Sequence, residues 1–277
     1  MTAVAMLAAL VAAGGWGFSD FLAGVLARRI PVLTVLIGSQ IAAMLVVLPA
    51  AAVHERPAAW DGRLWLGVAA GLVGLPAMGL LYRAMRDGSP AVVAPVATVA
   101  AMVPVGWGLR HGPGVGTVTW LGVVAGLAGA TLASWPAPGG DPALGRRPAM
   151  LCALGAAAAF GVYFVLLHEA GAADPFWALA GARVSGGAGA LLLALGLRER
   201  HTVRFRSPIL LVGLADVVAD GAFLVAAAAA LAPAAVVTSL YPAVTLLLNR
   251  WFLRERLHAV QLYGVVAALF SVACLAR

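Results

Sequence analysis

Between Ile209 and Asn249 the chain runs for 41 residues with only two charges, Asp216 and Asp220, and one break, at Leu231, Ala232 and Pro233. About twenty apolar residues suffice to carry a helix across the hydrocarbon of a bilayer. The run is therefore long enough for two membrane-crossing helices joined by a tight turn. An ionised carboxylate at bilayer depth costs about 2.5 to 3.5 kcal/mol on insertion scales. Asp216 and Asp220 are accordingly expected to face a partner or a pathway rather than lipid.

The rest of the sequence carries the same message. Hydrophobic residues make up 63% of the 277 positions and charged residues 10%, with a mean hydropathy of +0.99. Soluble domains carry about 25% charge, so a soluble core is excluded. All 18 basic residues are arginine, and most of them sit in short connections between apolar stretches. The net charge of +7 thus reads as topology and headgroup anchoring, not as a nucleic-acid surface. Cys152 and Cys274 lie inside apolar segments without metal-ligand or redox spacing, which makes them packing residues. No basic segment precedes Met6 to Ala13, and the apolar stretch continues past Asp20. The N-terminal run is therefore expected to be an uncleaved first span, not a signal peptide.

Windows of about nineteen residues define ten spans: 3–26, 31–53, 64–82, 90–109, 117–135, 149–167, 175–197, 209–230, 233–252 and 257–275. These runs are too long and too uniformly apolar for barrel strands. Backbone groups in hydrocarbon must bond within their own segment, so the fold class is all-α, a polytopic helical bundle. The longest polar stretch, 136–148, divides a first half (1–135) from a second (149–277), each with five spans. Sliding one half over the other by 142 to 144 positions superposes Gly17 on Gly161, Gln40 on Arg183, Pro90 on Pro233 and Gly122 on Gly264. An odd number of spans per half makes the copies run in opposite directions. This is the inverted-repeat plan of many secondary transporters, in which substrate binds near mid-membrane between the repeats.

Thirteen arginines fall in the connections after spans 1, 3, 5, 7 and 9, against four in the connections after spans 2 and 4 and at the C-terminus. The positive-inside rule then puts both termini outside the cytoplasm.

The candidate pathway residues are the polar groups inside spans. Arg183 lies well within the seventh span and is always charged. Asp216 and Asp220, at i and i+4, share one face of the eighth span and can pair with it. Two readings remain open: an ion pair that fixes helix packing, and a group that binds a polar substrate or exchanges a proton. Asp20 lies about two turns before Arg28 and Arg29, and is either a shallow acid reaching the headgroups or a bundle-facing site. Gln40, opposite Arg183 in the repeat alignment, is a further polar candidate or a helix-to-helix hydrogen bond. Tyr163, Tyr241, Trp16 and Phe160 are candidate cavity walls. Among the prolines of the fourth and ninth spans, Pro90 and Pro233 suit a first helical turn, whereas Pro104 and Pro242 are the hinge candidates. No nucleophile elbow, zinc-protease, phosphate-loop or dinucleotide motif is present, and His168 beside Glu169 is too sparse for a metal site. No enzyme activity, cofactor or metal is expected.

Three stretches carry a family resemblance. Trp16, Gly17, Phe18, Ser19, Asp20 and Phe21 resemble the first-span motif of the EamA-domain branch of the drug/metabolite transporter superfamily. The segment from Ser239 to Thr245, then Leu253, Arg254, Glu255, Arg256 and Leu257, then Gln261 to Gly264, is similar to that family's penultimate span, Glu-containing connector and final span. The first half departs from the pattern, with Leu109 to Gly114 where a second such connector is expected. The resemblance implies an ATP-independent permease for small metabolites, amino acids or drugs, with a central cavity between inverted repeats. It also implies cytoplasmic termini, opposite to the arginine count.

The expected protein is therefore a ten-span secondary transporter of the cell (inner or plasma) membrane, working by alternating access, with proton coupling suggested by its three intramembrane acids. Its partners are a small-molecule substrate, lipid and protons. The alternative is a non-transporting scaffold or sensor whose buried charges only set packing.

Overall fold

A computed structural model describes residues 1–55, 61–87, 99–111, 116–133, 146–196, 207–253 and 259–275. Among these residues every regular element is helical. The first half contributes α1 (Ala3–Ala27), α2 (Val32–Val53), α3 (Leu64–Asp87), a 3-10 turn at Val99–Ala101 running into α4 (Met102–His111), and α5 (Thr117–Ala133). The second contributes α6 (Arg146–Gly171), α7 (Pro175–Gly196), α8 (Ser207–Ala229), α9 (Leu231–Thr238), α10 (Tyr241–Leu253) and α11 (Ala259–Leu275). Seven segments are long and apolar enough to cross a membrane, the α9–α10 stretch among them, and α5 and α11 are shorter apolar helices. The start of the expected fourth span, with Pro90 and Pro95, lies outside the described residues, as do the polar stretch 136–145 and Arg254 to Arg256.

Each half packs mainly on the other. Helix α3 lies along α6 and α1 along α8; α3 also meets α7 as α2 meets α8; α1 meets α9 and α10 as α6 meets the 3-10 turn and α4. Further cross-half pairs are α2 with α7, α5 with α11, α4 with α9, and α5 with both α9 and α10. Exchanging the first helix of one half for the first of the other, and so on through the series, maps most of these contacts onto one another; those of α5 with α9 and α10 have no such counterpart. Such an exchange is what two copies related by a two-fold axis require.

Small residues permit the approach. A Cβ on Gly71 in α3 would overlap the Ala182 carbonyl of α7, and one on Gly213 in α8 would overlap the Ser39 carbonyl of α2. Gly71 and Gly213 are 142 positions apart, and Ser39 and Ala182 are 143 apart, so the two contacts are copies of each other. Likewise, a Cβ on Gly17 would sit 2.8 Å from the Tyr241 carbonyl oxygen, and one on Gly161 would sit 3.1 Å from that of Ala100. Hydroxyls then bond across the seams, Ser185 Oγ donating to the Val68 carbonyl at 2.9 Å and Ser271 Oγ to that of Gly122 at 2.7 Å. Such bonds are the usual polar glue between helices that gain nothing from leaving lipid.

The expected ninth span is not one continuous helix. It turns at Ser239 and Leu240, so that α9 and α10 are separate pieces. Pro233 occupies the first turn of α9 and Pro242 the first turn of α10. Pro104 is the third residue of α4, directly after the 3-10 turn. Both hinge candidates thus follow a break in the helix instead of kinking a continuous one, because proline in a first turn forfeits no intrahelical hydrogen bond.

Candidate functional site

At the centre of the bundle a narrow cavity encloses about 580 Å³ of empty space between its walls, open mouth included. Seven helices build it. Trp16 and Asp20 come from α1, Gln40 from α2, Gly71, Gly74, Met78 and Leu81 from α3, Phe160, Tyr163 and Phe164 from α6, Ala182 and Arg183 from α7, and Asp216 and Asp220 from α8; Tyr241 opens α10 at the break in the ninth segment. The seven pathway candidates named from sequence, Asp20, Gln40, Tyr163, Arg183, Asp216, Asp220 and Tyr241, therefore all line one space. Pro104 and Pro242 do not line it.

Depth follows from helix geometry at 1.5 Å per residue. Asp220 is thirteen residues after Ser207, and Arg183 thirteen before Gly196. Both are about 20 Å from the arginine-rich end of the bundle. Asp20, seven residues before Ala27, is about 10 Å from that end. The site thus has two levels.

The deeper level is a saturated network around Asp220. Arg183 Nη2 donates to Asp220 Oδ2 at 2.5 Å and to the Asp216 carbonyl oxygen at 3.0 Å. The Tyr163 hydroxyl donates to the same Oδ2, and Trp16 Nε1 donates to Oδ1 at 3.1 Å. Four helices, α1, α6, α7 and α8, are tied together through one carboxylate. The side chains of Arg183 and Asp220 are 8% and 1% exposed, so the pair is desolvated, and its value rests on these added hydrogen bonds as well as on attraction. The exposed Arg63–Asp61 pair at 2.7 Å is by contrast worth little.

The shallower level is unsaturated. Asp20 and Asp216 lie within electrostatic reach of each other and of Tyr82. Among the described residues, Asp216 Oδ2, Ser19 Oγ, Tyr82 Oη and Arg183 Nε are buried without a hydrogen-bond partner. Asp216 thus hydrogen-bonds Arg183 only through its backbone carbonyl, its carboxylate acting on the guanidinium at longer range, and the carboxylate in direct contact is that of Asp220. Asp20 is 6% exposed and faces the bundle, not the headgroups. Gln40 is buried, with its side-chain oxygen 3.0 Å from where a Cβ on Gly186 would stand.

The repeat offset shows how the two halves share the work. Gln40 and Arg183 are equivalent positions, and so, at 142 or 144 residues, are Gly74 and Asp216, Met78 and Asp220, Trp16 and Phe160, and Asp20 and Phe164. All ten line the cavity. The scaffold is duplicated, while three of its four charges come from the second half.

A sequence profile described as the EamA-like transporter family matches the chain twice, over residues 3–135 and 147–277. The chain belongs to the EamA-like transporter family. A solved crystal structure of a protein, 18% identical, superposes on it with a TM-score of 0.78 over 99% of this chain and 96% of that one, a likeness that shows the fold alone. A search of curated proteins found no match. As an EamA-family protein the chain is a multi-pass membrane protein of the drug/metabolite transporter type, a family of transporters rather than enzymes.

Within this EamA fold several cavity residues carried no signal in the sequence. Gly71, Gly74, Met78, Leu81 and Phe164 are ordinary apolar or small residues in apolar helices, and Ser19 and Tyr82 stand out only once their burial without partners is known. The repeat offset was the one clue available for Gly74 and Met78, since it places them opposite Asp216 and Asp220. Glu169, at the other end of α6, accepts a 2.7 Å bond from Trp107 Nε1. It belongs to a wide vestibule near the termini, lined also by His111 and His168.

Proposed function

We propose that this protein is a ten-span secondary transporter of small molecules in the cell membrane, in which two inverted five-helix halves rock about the central cavity and expose it alternately to either side. The observation that carries the reading is the convergence of Asp20, Gln40, Arg183, Asp216 and Asp220 from both halves on one cavity at mid-bundle. A scaffold has no use for buried acids left without partners, whereas a transporter needs polar groups that change partners during its cycle.

Protons are the expected coupling ion. Asp20 faces Asp216 across the α1–α8 contact, with Tyr82 on α3, Tyr241 on α10, and the Arg183–Asp220–Tyr163 network next to them. Two ionised carboxylates side by side in a bundle demand a positive counter-charge. A proton is the smallest such charge and can exchange with substrate. The test is flux of a radiolabelled metabolite, chosen by a thermal-shift screen of the purified protein, into proteoliposomes with and without an imposed pH gradient. The gradient should drive uptake above the equilibrium level, and Asp216→Asn should abolish that accumulation. Flux indifferent to the gradient, with Asp216→Asn and Asp220→Asn fully active, removes the proton. Absence of flux for every ligand that stabilises the protein removes the transporter.

A further inference from the structure

We infer that Asp20 and Asp216 form a subsite for a cationic nitrogen, so that the molecule carried is an amine with a small apolar or aromatic body. The inference rests on the transporter reading and names the substrate class for that cavity. Three acids and one arginine line the space. Arg183 is already engaged by the Asp220 carboxylate and the Asp216 carbonyl, and Asp220 is filled by Arg183, Tyr163 and Trp16. Three acids against one arginine leave the cavity with an excess of two formal negative charges, and Asp20 and Asp216 accept no hydrogen bond from that arginine through their carboxylates.

The unpartnered atoms give an independent indication. Asp216 Oδ2 accepts no hydrogen bond, and the Ser19 and Tyr82 hydroxyls, which do not line the cavity, are buried without partners as well. Buried polar atoms are rarely left so unless something else completes them. An ammonium supplies three donors and a charge, which suits the carboxylate oxygens of Asp20 and Asp216. An anion would meet three acids here, with Arg183 Nε as the one unpartnered cationic donor.

The walls fit the rest of such a molecule. Trp16 and Tyr241 meet edge to face with centroids 6.4 Å apart, and Phe160 and Phe164 stack at 6.2 Å. Ring faces attract cations and pack against apolar bodies.

The test is equilibrium binding to the purified full-length protein at pH 7.5 and constant ionic strength, by titration calorimetry, with three probes of one shape: 2-phenylethylamine, 2-phenylethanol and 3-phenylpropionate. The amine should bind at least about tenfold more tightly than the alcohol, as charge-assisted bonds require, and the propionate should bind more weakly than either. Asp20→Asn and Asp216→Asn should each weaken the amine about tenfold or more and leave the alcohol unchanged, and Asp20→Glu should retain amine binding. The inference is overturned if the alcohol or the propionate binds as tightly as the amine. It is equally overturned if both Asn variants bind the amine like the parent, or if sodium chloride alone saturates the site and displaces the amine. The three-probe comparison needs no variant, so a variant that does not fold leaves it decisive. Flux without amine preference would remove this subsite and leave the transporter standing; amine binding without flux would do the reverse.

Discussion

Asp220 shows how much a single residue fixes in this molecule. Its carboxylate accepts from Trp16, Tyr163 and Arg183, so removing Arg183 strands a buried charge. Arg183→Ala should lower stability by about 3 to 5 kcal/mol, the usual result of breaking one side of a buried pair. Adding Asp220→Asn should restore most of that loss, while flux stays absent in both variants. A double-mutant cycle on thermal unfolding in detergent, run beside flux measurements, checks both halves of the expectation. Recovery of flux together with stability would reduce the network to a packing device. The charged members of the site were legible in the sequence, because a charge within a long apolar run has few explanations. Which acid pairs with Arg183 was not, since Asp216 and Asp220 share a helix face and only the packing of α7 on α8 chooses between them. Trp16 was legible as a cavity wall but not as a hydrogen-bond donor to an acid 204 positions away.

At the scale of the helices, close approach and interruption both do work. Gly71 and Gly213 hold equivalent seams open to backbone contact. Gly71→Leu should therefore force α3 from α7 and cost at least the 1 to 3 kcal/mol typical of overpacking, seen as a lowered unfolding temperature. The turn at Ser239 and Leu240 places Tyr241 in the cavity and Pro242 just behind it. If this break is a hinge, Pro242→Ala should reduce flux by letting helix extend through it, while ligand binding persists. Unchanged flux would make Pro242 a mere first-turn residue. Most segment ends were legible from hydropathy: α1, α2 and α7 start or stop within a residue or two of expectation. The break in the ninth segment was not, because Ser239-Leu240-Tyr241 contains no strong breaker. The prolines near it pointed to the region without saying that the helix divides.

The molecule as a whole is a duplicated frame with an unequal endowment. Most helix-to-helix contacts exchange between halves, yet Arg183, Asp216 and Asp220 have Gln40, Gly74 and Met78 as their counterparts. The two-half layout was legible because the offset of 142 to 144 residues held steady through weakly similar sequence; convergence on one cavity needed the fold. For orientation, the arginine count and the family resemblance point opposite ways, and the count gives the prediction: thirteen arginines towards one end against four at the other favour the rich end in the cytoplasm. An alkaline phosphatase fused to the C-terminus, active only outside the cytoplasm, should therefore be active. An inactive phosphatase with a fluorescent protein fusion that lights up would favour the orientation implied by the family resemblance.

The central claim is that the cavity between the halves is reached from both sides of the membrane in turn. Met78 lines it and is 8% exposed, so Met78→Cys, with Cys152 and Cys274 replaced by alanine, places a reporter thiol in its wall. Labelling by a membrane-impermeant maleimide should succeed from either face of sealed vesicles and slow when a bound ligand fills the cavity. Reaction from one face alone, or from neither, under all conditions would contradict alternating access.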